Sequence, residues 1–162
     1  MAMLVTPPQL PFTPEAAVLP IARADRSGNY AVASLPARPD SGTAARAMVR
    51  QALEDWGLYR SVADVELVVA ELVANAVTHG TRGRSAGTTV VVEARRRGRS
   101  LRVAVTDDRP DVAPVMRAAG VEEESGRGLR LVDDVSSAWG WEPVSRGRCK
   151  QVWAEFEFDT SS

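Results

Sequence analysis

Two consecutive stretches of the chain carry apolar residues at every third or fourth position, and this spacing predicts two amphipathic helices. In the first stretch, Asp40 or Ser41 is a suitable helix cap and Gly57 is a suitable stop. Its apolar stripe consists of Ala45, Met48, Val49, Ala52, Leu53 and Trp56. The second helix starts at Ser61, where a serine followed three residues later by an aspartate forms a capping box, and it runs to Gly80.

Most of the other regular segments alternate between apolar and polar positions, which predicts β-strands. Two of them, 88–94 and 101–106, are joined by an arginine-rich turn around Gly98 and form a predicted hairpin. An edge strand is expected at 30–35, a short helix at 128–135, and two further strands at 138–141 and 151–158. Residues 107–126 have no period, and a loop of that length within a compact domain is usually a functional lid or binding loop.

This order of elements predicts the fold class and the domain organisation. Helices come first, and a mainly antiparallel run of strands with one inserted helix follows, so we expect an α+β fold. It would be a two-layer α/β sandwich with a mixed, mainly antiparallel sheet and helices on one face. Residues 1–28 are rich in proline and lack a period, which predicts a flexible tail before one folded domain at 29–160.

Composition and charge exclude several kinds of protein and of chemistry. The 162 residues are 44% hydrophobic with a formal net charge of -1, which is typical of a globular protein without a general attraction to nucleic acid. A single cysteine and a single histidine argue against disulfides, zinc sites and a Ser-His-Asp triad. The chain has no apolar run of membrane-spanning length, and no basic segment precedes its apolar N-terminal residues, so we expect a cytoplasmic protein without membrane contact.

Arginines are concentrated on the predicted hairpin, at positions 95, 96, 97, 99 and 102. A solvated turn explains this cluster better than a nucleic-acid site does, because no aromatic residue lies among the arginines to stack on a base. Binding to nucleic acid that collapses as salt rises would favour the opposite interpretation.

The second predicted helix carries the most informative polar residues. Glu71 and Asn75 lie four residues apart, so their side chains share one face of the helix. A solvated polar stripe on an amphipathic helix is one interpretation of this pair. The other is a functional pair, in which the carboxylate accepts a proton and the amide oxygen ligates a hard cation such as Mg²⁺. The helix taken alone leaves both open.

Two further segments carry candidate chemistry. Asp107 ends a predicted strand where the irregular loop begins, although an aspartate at that place is usually a turn former. Gly126 and Gly128 then precede and open the next helix, where backbone N–H groups can approach a phosphate and the helix dipole favours anions. The chain has no G-x-x-x-x-G-K-[ST] motif, so a Walker-type phosphate loop is excluded.

In this order, the three segments resemble the N, G1 and G2 boxes of the GHKL ATPase superfamily, over about residues 30–158. The stretches ELVANAVTHG, GRGLRLVDDVSSAWG and KQVWAEF are most similar to bacterial anti-sigma-factor serine kinases. The resemblance implies a Bergerat-type ATP-binding fold that takes ATP and Mg²⁺. It also implies a serine/threonine protein kinase with two protein partners, a sigma factor and an antagonist that is phosphorylated, and it suggests a homodimer.

The resemblance assigns a role to each matching residue. Glu71 corresponds to the general base, Asn75 to the magnesium-binding asparagine, and Asp107 to the acid that recognises the adenine amino group. The phosphate-contacting end of the ATP lid corresponds to Gly126, Arg127, Gly128 and Leu129. His79 and Gly80 match the usual end of the N box.

Two positions depart from the family pattern. Arg109 stands where the family typically has a glycine, two residues after the aspartate, and Gln151 stands where it tends to have a threonine. Both departures concern the adenine end of the expected pocket. A nucleotide-sensing protein that sequesters a partner without phosphorylating it is the alternative function, because it would use the same pocket.

Overall fold

The computed structural model of the protein describes residues 23–24, 28–80, 87–114 and 127–159. Six strands form one sheet in the order β1-β2-β3-β4-β6-β5. The strands are β1 (Arg23–Ala24), β2 (Tyr30–Pro36), β3 (Thr89–Arg97), β4 (Ser100–Asp107), β5 (Ala138–Val144) and β6 (Cys149–Glu157). The helices are α1 (Ser41–Asp55), α2 (Val62–Gly80) and α3 (Arg127–Val135), with a short 3₁₀ turn, Tyr59–Ser61, before α2.

The predicted α+β class is confirmed. All strand pairings in the described ranges are antiparallel, whereas the sequence predicts a mixed sheet. Hairpins and longer antiparallel connections join the strands, so the described sheet contains no parallel crossover unit. None of the helices within these ranges is both long and apolar enough to cross a membrane.

The predicted helices are confirmed, with small differences where they start. Helix α2 begins at Val62, because the predicted first residue, Ser61, belongs to the 3₁₀ turn, and α3 begins one residue early, at Arg127. Asp40 occupies the N-cap position of α1 but makes no side-chain capping bond, and the Ser41 hydroxyl instead donates to the Pro36 carbonyl oxygen. This bond ties the start of α1 to the end of β2. Gly57 follows α1 with a φ of 73°, in the left-handed region where glycine is favoured, and ends the helix as predicted.

The hairpin of β3 and β4 is also confirmed, with strands longer than predicted and with Gly98 in the turn at a φ of 58°. The strand predicted at the edge of the sheet is β2, but β1 pairs along its outer side. Both residues of β1 belong to the segment predicted as a tail. Residues 1–22, 25–27 and 115–126, which include most of the predicted tail and lid, lie outside the described residues.

One hydrophobic core lies between the sheet and the helices. Each long strand turns alternate side chains toward the helices, and these positions are buried. The largest residues that meet there include Leu35, Val49, Leu53, Val68, Leu72, Leu101, Leu129 and Phe156. The opposite sheet face carries the half-buried positions of β3, β4 and β6.

The direction of the chain decides which residues share one end of the domain. Helix α1 leaves from the end of β2, and α2 runs back over about 28 Å, since a helix rises about 1.5 Å per residue. The C-terminal half of α2 therefore returns to the end of the sheet where β2 ends and β3 begins. The register places Asp107, at the end of β4, opposite Lys150, near the start of β6, at that same end.

Candidate functional site

Glu71 and Asn75 lie beside the buried stripe of α2, and both are half-buried. Leu72 and Ala76, which follow them directly, belong to the core at 0% and 2% exposure, whereas Ala74 is exposed. The pair is thus at the edge of the helix face that meets the rest of the domain. Neither side chain forms a hydrogen bond or ion pair with another described residue, so both polar groups are open to a ligand.

The Glu71 carboxylate rests against the first turn of α3. A Cβ atom added to Gly128 would overlap the Glu71 Oε2 atom and would lie 3.3 Å from its Cδ. The overlapping atom is the far end of a flexible side chain, so a Cβ atom at this position would displace the carboxylate. The carboxylate therefore lies next to a helix N-terminus, where the helix dipole favours negative charge.

The residues next to Gly128 differ in how their side chains could meet a ligand. The Leu129 side chain packs in the core at 2% exposure, and Val132 one turn later is fully buried. A ligand can thus contact Leu129 only through its backbone. Gly126 and the Arg127 side chain lie outside the described residues. Leu129 and Val132 belong to the same core as the buried side of α2, and the two helices pack against each other.

Asp107 is buried and is engaged by Lys150 from the neighbouring strand. The Lys150 Nζ atom lies 2.9 Å from Oδ1 and 2.8 Å from Oδ2 of Asp107, and these side chains are 1% and 2% exposed. Nζ also donates to the Arg109 carbonyl oxygen at 3.1 Å, and the Arg109 N–H donates to Oδ1 at 2.9 Å. Burial of this pair is tolerable because each charge has its opposite within contact distance.

The two departures from the family pattern have structural explanations. Arg109 needs no left-handed backbone, and its guanidinium makes two hydrogen bonds to Asp111, at 2.9 and 2.8 Å, which raise its pKa. Gln151 lies on the sheet face opposite the helices, where it donates to Glu93 at 2.8 Å and to Thr106 at 3.2 Å. Gln151 therefore does not line the helix side of the sheet, where Asp107 lies.

Lys150 is the residue at this end of the domain that sequence reasoning missed. A signal for it was present: Lys150 has the same alternation phase as Val152, Ala154 and Phe156, the buried side of the last strand. A lysine on an apolar face is almost never fully buried unless it is paired. The pattern alone therefore indicated a buried partner, but not which of the chain's acidic residues it is.

Other candidate groups do not form a second site in the described ranges. No group of three or more His, Cys, Asp or Glu residues is placed to hold a metal ion there. Burial, chiefly, raises the pKa of the Cys149 thiol, with the nearby Asp107 and Asp108 charges adding to the effect, so a reactive thiolate is disfavoured.

Most arginines of the hairpin are occupied by the protein itself. Arg95 lies over the Tyr30 ring at 4.7 Å, and Arg102 lies over the Trp153 ring at 4.1 Å. Arg96 donates to the Trp56 carbonyl oxygen, and Arg99 donates to that of Phe158. These contacts support a structural role for the cluster.

Comparisons with known proteins agree with the arrangement of these elements. The family described as the histidine kinase-like ATPase domain matches residues 35–155 of the chain. Among solved structures, the chain is similar to the RsbU and RsbW domains of Rv1364c from Mycobacterium tuberculosis, with a TM-score of 0.58 and 20% sequence identity over 79% of this chain. The chain covers 32% of that structure's length, and at this identity the likeness concerns the fold alone. No curated protein matches the chain.

Proposed function

The chain belongs to the histidine kinase-like ATPase domain family, and from this premise we propose that it is an ATP-dependent serine/threonine protein kinase of the anti-sigma type. It would phosphorylate an antagonist protein and thereby regulate transcription through a sigma factor. The observation that carries this proposal is the Glu71 carboxylate resting against Gly128, with Asn75 one turn further along α2.

The half-buried pair fits a nucleotide with its cation. Mg²⁺ keeps several water ligands and is usually held by one or two protein oxygens together with substrate phosphates, so a site with few protein ligands suits it. Asn75 offers an amide oxygen without a competing hydrogen bond among the described residues. The open first turn of α3 offers backbone N–H groups to a phosphate beside Glu71.

The roles of the protein groups follow from the needs of phosphoryl transfer. Bound Mg-ATP supplies the transferable phosphoryl group and the cation that neutralises its developing charge. Asn75 would orient the phosphates through the cation, and Glu71 would accept the proton of the attacking serine or threonine hydroxyl. Asp107 would accept a hydrogen bond from the adenine amino group. Gly126 and Arg127 remain proposed phosphate contacts.

The partners belong to the proposal as well. The resemblance of the sequence to anti-sigma-factor serine kinases supports a sigma factor and an antagonist as these partners. A cytoplasmic location and a homodimer are part of the same proposal.

Two measurements test the proposal. One is calorimetric titration with ATP, with and without Mg²⁺, and the other is radiolabel transfer to a protein that co-purifies with the chain. We expect magnesium-dependent ATP binding and label on a serine or threonine of that partner. Absence of ATP binding would refute the proposal. Binding without transfer to any partner would favour the sequestering protein instead.

Asn75→Ala is expected to remove the part of ATP affinity that depends on Mg²⁺. Even the loss of an outer-shell partner of a metal costs about 10- to 100-fold in affinity, and the loss of a direct ligand should cost at least as much. The measurement is ATP titration at fixed Mg²⁺ and in excess chelator. Thr78→Ala, on an exposed position of the same helix, is the control and should leave both affinities unchanged. Equal weakening with and without Mg²⁺ would contradict the assignment of Asn75.

Gly128→Ala is expected to displace the Glu71 carboxylate and to lower transfer by about 10²-fold, because a small misplacement of a catalytic group is enough for that loss. The fold should survive, since a flexible carboxylate can swing away from the new Cβ atom. Gly42→Ala is the matched control, because this helical glycine has nothing within 4 Å of an added Cβ. It should stabilise the fold by about 1 kcal/mol and leave transfer unchanged. Unaltered transfer in Gly128→Ala would refute the role of this contact.

A further inference from the structure

Lys150 is the only lysine of the chain, and it is fully buried. Removing an ammonium group from water is costly unless its partners replace the lost hydration. The partners here are supplied by one short segment, the carboxylate of Asp107 and the carbonyl oxygen of Arg109. Lys150 therefore lies at the same end of the domain as Asp107, the residue proposed to recognise the base.

The Lys150 ammonium group is out of reach of a ligand, because the residue is fully buried. It faces oxygen atoms of the protein instead. Its Nζ atom is 2.9 Å from Asp107 Oδ1, 2.8 Å from Asp107 Oδ2 and 3.1 Å from the Arg109 carbonyl oxygen. Lys150 thus acts on a ligand through Asp107 rather than by touching it.

The two oxygens of Asp107 are used unequally. Oδ1 accepts hydrogen bonds from the Lys150 ammonium and from the Arg109 N–H. Oδ2 is in ion-pair contact with Lys150, yet no donor among the described residues is aligned to give it a hydrogen bond. A buried carboxylate oxygen without a hydrogen bond is unusual in a native protein and calls for an explanation.

We propose that Lys150 is a positioning residue for base recognition: its ion pair holds the Asp107 carboxylate in one orientation, with Oδ2 as the single acceptor left for the exocyclic amino group of a purine. This inference rests on the proposed function, because it refines how the nucleotide is selected. An ionised carboxylate cannot donate a hydrogen bond, so it accepts from the 6-amino group of adenine and rejects the 6-keto group of hypoxanthine. Lys150 thereby enforces the preference for ATP over inosine triphosphate.

Replacement of Lys150 should change the preference for ATP over inosine triphosphate as well as the affinity for ATP. A buried carboxyl group without a cation nearby takes up a proton instead of keeping an unpaired charge. A protonated Asp107 can both donate and accept, so it would tolerate the keto group as well as the amino group. Since a hydrogen bond to a charged group is at stake, the preference for ATP over inosine triphosphate should fall about 10- to 100-fold.

The first test uses the intact wild-type protein. Lysine labelled with ¹⁵N at the ζ position gives one side-chain signal, because the chain has a single lysine. We expect AMP and ATP to shift this signal, and ribose 5-phosphate and inosine triphosphate to shift it much less. ATP that binds by calorimetry without moving the signal would overturn the inference. An equal shift with inosine triphosphate would overturn it too.

The second test measures the ratio of ATP to inosine triphosphate affinity in Lys150→Met, under conditions where circular dichroism shows it to be folded. Phe156→Leu is the control, because Phe156 is buried on the same face of β6, about 20 Å along the strand from Lys150. We expect the ratio to collapse in Lys150→Met and to stay at the wild-type value in Phe156→Leu. An unchanged ratio in Lys150→Met would refute the inference.

The two proposals fail in different ways. No ATP binding by the wild-type protein would refute the proposed function and, with it, the role of Lys150. Normal ATP binding and transfer, with a lysine signal and a base preference that do not depend on Lys150, would refute the inference alone. If Lys150→Met does not fold, the lysine signal of the labelled wild-type protein still tests the inference.

Discussion

Glu71→Gln is expected to lower phosphoryl transfer about 10²–10⁴-fold while Mg-ATP binding stays nearly unchanged. The amide keeps the shape of the side chain against Gly128 but no longer accepts a proton at neutral pH. Binding depends on other groups, Asn75 and the backbone of α3, so the loss should appear in the rate of transfer. Single-turnover transfer of labelled phosphate and calorimetric ATP titration together separate the two quantities.

The control for this variant is Asp64→Asn, which makes the same chemical change on an exposed position in the first turn of the same helix. It should leave transfer and binding unchanged. If Glu71→Gln weakened ATP binding as much as it slowed transfer, Glu71 would be a binding residue rather than a general base. Full activity in Glu71→Gln would remove it from the mechanism.

Lys150→Met is expected to destabilise the fold by about 3–5 kcal/mol, the usual cost of leaving one member of a buried ion pair alone. The Lys150 and Asp107 side chains are 1% and 2% exposed, so solvent cannot replace the missing partner. The double variant Lys150→Met with Asp107→Leu should recover most of that stability, because it removes both charges and keeps similar volumes. Urea unfolding of the wild-type protein, both single variants and the double variant completes the cycle.

An additive cycle, in which the double variant loses the sum of both single losses, would contradict a direct coupling of the two residues. The ion pair between Arg99 and Asp159 provides a comparison within the same protein, because both side chains are largely exposed. Arg99→Met should change the stability little, since exposed pairs contribute at most about 1 kcal/mol. A large loss there would show that the assay does not distinguish buried pairs from exposed ones.

The spacing of apolar residues predicted the helices and strands, because this spacing follows from which side chains of a helix or strand are buried. The two helices, the hairpin and the last strand follow from repeats of three to four and of two residues. The same periodicity placed Glu71 and Asn75 on one face of a helix. The alternation of the last strand also places Lys150 on its buried side.

Contacts between segments that are far apart in the sequence could not be predicted from the spacing of apolar residues. The contact of Glu71 with Gly128 joins residues of two helices separated by an entire hairpin, and no local pattern records it. Gln151 illustrates the sensitivity of a strand to phase: one position away from Lys150, it lies on the other face of the sheet. The departure from the family pattern lies at Gln151. The strand register instead brings the preceding residue, Lys150, to Asp107.

The sequence by itself therefore determined the α+β class, the bounds of most elements to within a few residues, and the candidate residues Glu71, Asn75 and Asp107. These properties depend on local periodicity and on short motifs. Only the tertiary structure decided that the sheet is antiparallel throughout its described part, that the Glu71 carboxylate rests against Gly128, and that Lys150 engages Asp107. Each of these depends on strand register or helix packing, which is settled by burying the whole core at once rather than by neighbours along the chain.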